Sequence, residues 1–206
     1  MSLETFLLYL AAWTLVAISP GPAVLFSMSQ AARRGMPGAA AGTAGILMGH
    51  LVCFTLVAFG LAALLASVNG AMTAIRIVGA LYLMYLGVKM LLARPREAAG
   101  VPVAEGRKAM GGIALQGLLV QLTNPKNLLF VLAFLPQFIA PDRPLLPQLG
   151  IMLTVTIVID AICLLAYAHV AARGARALKG SRVVMWIERT FGAALIYFGI
   201  RLIVSK

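Results

Sequence analysis

Two twelve-residue stretches of this 206-residue chain are versions of one another: Leu15-Val-Ala-Ile-Ser-Pro-Gly-Pro-Ala-Val-Leu-Phe26 and, 104 positions later, Leu119-Val-Gln-Leu-Thr-Asn-Pro-Lys-Asn-Leu-Leu-Phe130. Each is an apolar helix interrupted by proline, which removes a backbone donor and disfavours helix at the residue before it. A second echo pairs Tyr85-Leu-Gly-Val-Lys-Met-Leu91 with Tyr197-Phe-Gly-Ile-Arg-Leu-Ile203, at a separation of 112. Halves that match at both ends describe a duplicated unit. Interrupted apolar segments in corresponding places of two repeats point to the binding site of a membrane transporter.

The composition sets the environment. With 62% hydrophobic and 11% charged residues and a mean hydropathy of +0.98, the chain carries more apolar surface than one soluble core of this size could bury. Its net charge is +11, but the basic residues fall between apolar runs rather than in a patch with interleaved aromatics, so no nucleic acid is expected as a partner. Met1-Ser-Leu-Glu4 has no basic character, so Phe6 to Ile18 reads as a retained span and not as a signal peptide. Six runs are long enough to cross a hydrocarbon core of about 30 Å, approximately 4 to 32, 38 to 66, 72 to 93, 110 to 140, 145 to 172 and 183 to 204.

The expected fold is an all-α membrane protein of six transmembrane helices. Helices one and four are broken, at Pro20-Gly21-Pro22 and at Asn124-Pro125. A break at membrane depth survives only where the freed backbone groups meet protein or a water-lined cavity; a simple kink between packed helices is the plainer reading of the same prolines. Twelve basic residues, Arg33, Arg34, Lys89, Arg94, Arg96, Arg107, Lys108, Arg173, Arg176, Lys179, Arg182 and Arg189, flank the spans on one side, against Arg76, Arg143, Arg201 and Lys206 on the other. The positive-inside rule then puts the three basic loops in the cytoplasm and both termini outside. Residues 1–93 form the first three-helix repeat, 94–109 a cytoplasmic linker and 110–206 the second repeat, which must run inverted because three spans reverse the crossing sense.

In an inverted pair of broken helices, the amino-terminal ends near Pro22 and Lys126 approach one cavity. Such ends present unpaired N–H groups and partial positive charge, which suit a carboxylate. The candidate substrate-binding residues are Ser19, Gly21, Pro22, Asn124, Pro125, Lys126, Asn127 and Asp160, with Thr123 as a further hydroxyl. Between the matched ends, spans two and five align at a shift of 110, pairing His50 with Asp160 and Cys53 with Cys163. Ionisable groups inside a membrane face a bundle interior or an aqueous cavity, so Asp160 is the leading candidate for substrate or proton handling, with His50 as a second proton-coupling residue. A buried aspartate that merely bonds neighbouring helices is the structural alternative. Gly38, Gly42, Gly45 and Gly49 form a small-residue stripe suited to close helix approach, within one chain or between two copies, so a homodimer stays open. Trp13, Tyr85, Trp186 and Tyr197 read as interfacial anchors.

Ser19-Pro-Gly-Pro22, the Asn124-Pro125-Lys126 break followed by Phe130 and the Leu135-Pro-Gln-Phe138 run, and Asp160 in the fifth span together resemble the lysine exporter and homoserine/threonine resistance family of amino acid efflux transporters, over essentially the whole chain. The resemblance implies export of amino acids or their derivatives across the bacterial inner membrane, driven by the proton gradient. The implied partners are an amino acid, the proton and lipid, with no cofactor. Two other classes stay open on the residues themselves. His50, Cys53, Asp160 and Cys163 are a donor set for a divalent transition metal, and Cys53 with Cys163 could carry thiol redox chemistry. No phosphate-binding glycine loop, nucleophile elbow or pair of catalytic carboxylates is present, so enzyme chemistry is not expected.

Overall fold

The computed structural model describes residues 1–67, 109–140 and 142–173, together with isolated positions between 77 and 92 and between 189 and 200. Among the described residues there is helix and no strand. Helix α1 is Leu3–Ile18 and α2 is Pro22–Ser67. They are followed by α3, Met110–Leu122, and α4, Pro125–Leu129, then a π-helical turn Phe130–Phe134, a 3-10 turn Leu135–Phe138, and α5, Leu145–Ala172. The linker from 94 to 108, Gly87, Gly199, Trp186 and most of the third and sixth predicted spans lie outside the described residues.

Local chemistry explains the boundaries. The Ser2 hydroxyl accepts the Thr5 N–H at 3.1 Å, capping α1. The long α2 doubles back at Gly35, whose φ of 68° is a region that side chains with a Cβ rarely adopt. The chain on either side of the turn, in the arms 22–34 and 36–67, packs together, Phe26, Ser27 and Gln30 against Gly42 and Thr43, with Arg33 and Arg34 at the turn. At 16 residues, α1 is about 24 Å long, so it needs the chain beyond its break to cross the hydrocarbon. The regions Pro22–Gly60 and Leu145–Ala172 are long and apolar enough to cross a membrane by length and composition.

The glycine stripe is consumed inside the chain. A Cβ on Gly45 would run into the Ala114 carbonyl, one on Gly117 into the Gly42 carbonyl, and one on Gly49 would come 2.6 Å from the Gln121 Cβ. The second arm of α2 and α3 therefore touch backbone to backbone, as small residues permit in lipid. That use leaves the stripe unavailable as a contact between copies.

Polarity is distributed for lipid. Gln30, His50, Gln121, Asn124, Asn127 and Thr156 are buried, while Leu3, Leu56, Phe59, Leu146 and Ile162 are exposed. A surface this apolar is expected where acyl chains are the solvent. Tyr85 and Tyr197 also lie exposed on helical positions. Trp13 does not: it is 1% exposed, and its expected role as an interfacial anchor is corrected below.

Candidate functional site: a polar cavity between two helix breaks

The first break begins at Ser19, which takes the extended conformation (φ −69°, ψ 120°) that a following proline imposes. The last carbonyls of α1 thereby lose their helical partners. Other elements supply replacements. Lys126 Nζ donates to the carbonyls of Val16 at 2.5 Å and Ser19 at 2.6 Å, and the Tyr167 hydroxyl donates to that of Ile18 at 2.6 Å. A cation at a helix carboxyl end also complements its dipole. The Lys126 stem crosses Gly21, where an added Cβ would sit 3.4 Å from its Cδ.

The second break is closed by its own residues. Asn124 Oδ1 accepts the Lys126 N–H at 3.1 Å, Pro125 takes the first helical position, where no N–H is needed, and the Thr123 hydroxyl bonds back to the Leu119 carbonyl at 2.7 Å. Helix then resumes for one α-helical turn, widens to π geometry and tightens to 3-10. This irregular stretch carries Phe130, Phe134 and Phe138. Their rings stack at centroid distances of 4.3 and 4.7 Å and meet Trp13 and Tyr9 at 4.7 and 5.2 Å, an edge-to-face cluster of the kind aromatic quadrupoles favour.

Between the breaks lies a cavity of about 40 Å³ lined by Ser19, Gly21, Asn124, Lys126 and Asn127, with His50, Gln121 and Asp160 from the flanking helices. That volume admits a few waters, so an amino acid requires the walls to part. At its centre, Asp160 Oδ2 lies 2.6 Å from His50 Nε2, and Oδ1 accepts the Trp13 indole N–H at 2.9 Å. The same histidine nitrogen lies 2.8 Å from the Gln121 amide nitrogen. One ring nitrogen holds either a proton or a lone pair. With the proton it donates to Asp160; with the lone pair it accepts from Gln121. The network therefore has two hydrogen-bonded states, and the side chain of His50 selects between them.

Asn127 completes the wall. Its Nδ2 donates to Cys53 Sγ at 3.4 Å and to the Gln121 carbonyl at 3.4 Å, while its buried Oδ1 has no partner. An unmet acceptor beside a polar cavity is a natural contact for a cationic or hydroxylated ligand.

The residues singled out from sequence fall into three groups. His50 and Asp160, paired by the repeat alignment, touch directly; Ser19, Gly21, Asn124 and Asn127 line the cavity with them. Pro22 and Pro125 begin helices, and Lys126 lines the cavity but has two of its ammonium hydrogen bonds on α1. Thr123 is exposed and is not part of the lining. The metal set does not assemble: Cys53, turned about 60° from His50 around the helix, packs in the apolar cluster with Tyr9, Trp13 and Phe130, while Cys163 lines the cavity. Both are free thiols, and among the described residues no three His, Cys, Asp or Glu side chains gather as metal ligands.

Sequence reasoning missed Gln121 and misplaced Trp13. Gln121 was readable on the same ground as Asp160, as a lone polar residue in an apolar run. Trp13 offered no such signal, because an indole suits an interface and a buried hydrogen bond equally.

The profile of the LysE type translocator family matches residues 14–206. The chain is 33% identical over 199 residues to a homoserine/homoserine lactone efflux protein of Salmonella typhi, covering 97% of this chain and 96% of the relative. It is 31% identical over 159 residues to a leucine efflux protein of Salmonella choleraesuis, covering 77% and 74%. An uncharacterized membrane protein of Vibrio cholerae is 28% identical over 206 residues, the full length of both. No solved structure matches the chain.

Proposed function

We propose that this chain, which belongs to the LysE type translocator family, exports amino acids and their amine-bearing derivatives from the cytoplasm in exchange for protons. The observation that carries the reading is Asp160, a carboxylate held by His50 and Trp13 at the cavity where the two breaks meet. The relatives are named for the efflux of homoserine, its lactone and leucine. An ammonium group is common to all three, whereas the lactone has no free carboxylate. A site serving such cargo must recognise the ammonium first, and a buried carboxylate is the group that does so most strongly.

Substrate and proton then alternate at Asp160. A substrate ammonium at the carboxylate displaces the His50 Nε2–H; transfer of that proton through cavity water to Nδ1 leaves the Nε2 lone pair to accept from Gln121, and departure of the ammonium reverses the transfer. Asn127 Oδ1 is the second acceptor for the substrate amine. A substrate carboxylate, where present, lies against the first turn of α2 beyond Gly21, with the charge of Lys126 adding to the local positive potential. The two repeats, 1–93 and 110–206 joined by 94–109, cross the inner membrane in opposite senses, six spans in all, with both termini outside. Alternating access comes from one half rocking on the other. The duplicated breaks and the contact between His50 and Asp160 support that arrangement.

The test is counterflow in proteoliposomes, with labelled leucine and homoserine. Asp160→Asn should slow it by between about tenfold and a hundredfold, the equivalent of one charge-assisted hydrogen bond, and should abolish acceleration by an imposed pH gradient. Leucine methyl ester should compete and N-acetyl-leucine should not. Competition by the acetylated compound, or unchanged gradient-driven flux in the variant, would reject the assignment of Asp160.

A further inference from the structure

Gln30 lies on the first arm of α2, between the cavity and the turn at Arg33 and Arg34. It is 1% exposed, and neither its amide nitrogen nor its amide oxygen has a hydrogen-bond partner. Its stem packs over the return arm, where a Cβ on Gly42 would sit 3.6 Å from its Cγ. An unmet buried donor and acceptor each cost their full desolvation. The common remedy inside a protein is a bound water with two to four polar partners.

Candidate partners lie one helical turn away. Ser27, one turn back on the same helix face, is fully buried; its hydroxyl lies 3.2 Å from that of Thr43 and 3.3 Å from the carbonyl of Leu164. Leu164 sits one turn along α5 from Asp160 and lines the cavity beside Val24. Buried polar groups thus recur along this side of the bundle: Asp160 at the cavity, the Ser27–Thr43 pair against the Leu164 carbonyl, and Gln30 one helical turn beyond Ser27. Between positions 27 and 43 the ionisable side chains are Arg33 and Arg34; α5 offers Cys163, Tyr167 and His169 beyond Asp160, and α3 offers none. The residues from Ser27 to Gln30 include no carboxylate or imidazole. Along them a proton travels on water and hydroxyl groups.

We propose that Gln30, Ser27 and Thr43 form an internal water-binding site that carries protons between the Asp160 network and the Arg33–Arg34 turn of α2. This rests on the proton-exchange reading above and adds to it a route separate from the substrate cavity. Replacing the amide of Gln30 with an apolar group of similar size leaves no buried polar atom behind, so Gln30→Leu is expected to fold.

The experiment compares two fluxes in proteoliposomes for wild type, Gln30→Leu and the paired Ser27→Ala, Thr43→Val variant: leucine counterflow, which needs no net proton movement, and leucine-dependent proton flux read with an internal pH dye. The proposal expects counterflow close to wild type and proton flux slower by about tenfold, one hydrogen bond's worth of barrier, in both variants. Proton flux unchanged in both would overturn the proposal and leave proton exchange standing. Equal losses of both fluxes would also overturn it, by placing Gln30 on the substrate route. Absence of leucine-dependent proton flux in wild type would remove the exchange reading and this route with it. Thermal melting in detergent gives an independent readout: a water-bonded amide makes Gln30→Leu neutral or destabilising, whereas clear stabilisation would mean a dry, unmet amide and no water site.

Discussion

The two helix breaks have similar sequences and are stabilised in opposite ways. At the second, Asn124 caps the resuming helix and Thr123 satisfies a carbonyl within its own turn. At the first, the carbonyls of Val16, Ile18 and Ser19 depend on Lys126 and Tyr167, more than a hundred residues away. One break is closed by local chemistry and the other by side chains from distant segments. The first break is therefore the one that depends on how those segments pack, because moving Lys126 or Tyr167 away strips its carbonyls of donors.

Lys126→Met is the strongest way to break that contrast. Loss of two hydrogen bonds from a charged donor should destabilise the protein by about 2–3 kcal/mol, seen as a lower melting temperature in detergent, with counterflow falling too. A neutral effect on stability would mean that Lys126 does not hold the first break. Asn124→Ala removes the local cap and should cost about 1 kcal/mol; a loss as large as that of Lys126→Met would show that the second break is no more self-sufficient than the first. Tyr167→Phe deletes one hydrogen bond between helices, for which about 0.6 kcal/mol is typical in membranes. Its melting temperature should therefore shift least of the three, and a larger shift than for Asn124→Ala would reverse the ordering.

The downstream geometry diverges as well. Beyond Pro22 regular helix continues from 22 to 34 before the turn at Gly35, whereas beyond Pro125 the chain makes one α-helical turn before entering π and 3-10 geometry under Phe130, Phe134 and Phe138. The expectation of two equal helix ends facing one cavity is thereby reduced to one strong end, at α2. A macrodipole needs aligned peptide units over several turns, and the regular α-helix beyond the second break is five residues long.

Much of this was legible in the chain itself. Proline and glycine constrain the backbone at their own positions, so Pro20, Pro125 and the glycine-marked turn after Arg34 could be placed within a few residues. The apolar runs 38 to 66 and 145 to 172 fall on helix, in the second arm of α2 and in α5. The internal alignment paired His50 with Asp160, and the two side chains touch in the structure.

Hydrogen-bond partners between distant helices were not legible. Whether Lys126 serves a ligand or the end of α1, whether Trp13 faces lipid or Asp160, and whether Gln121 reaches His50 depend on how far each helix is rotated and how closely glycine lets its neighbour approach. Those quantities are set by packing over the whole bundle. The sequence by itself determined an inward-polar, outward-apolar set of helices with two breaks and a half-buried carboxylate at Asp160. The tertiary structure decided which polar groups meet, since a donor becomes committed only when an acceptor from another helix arrives within about 3 Å of it.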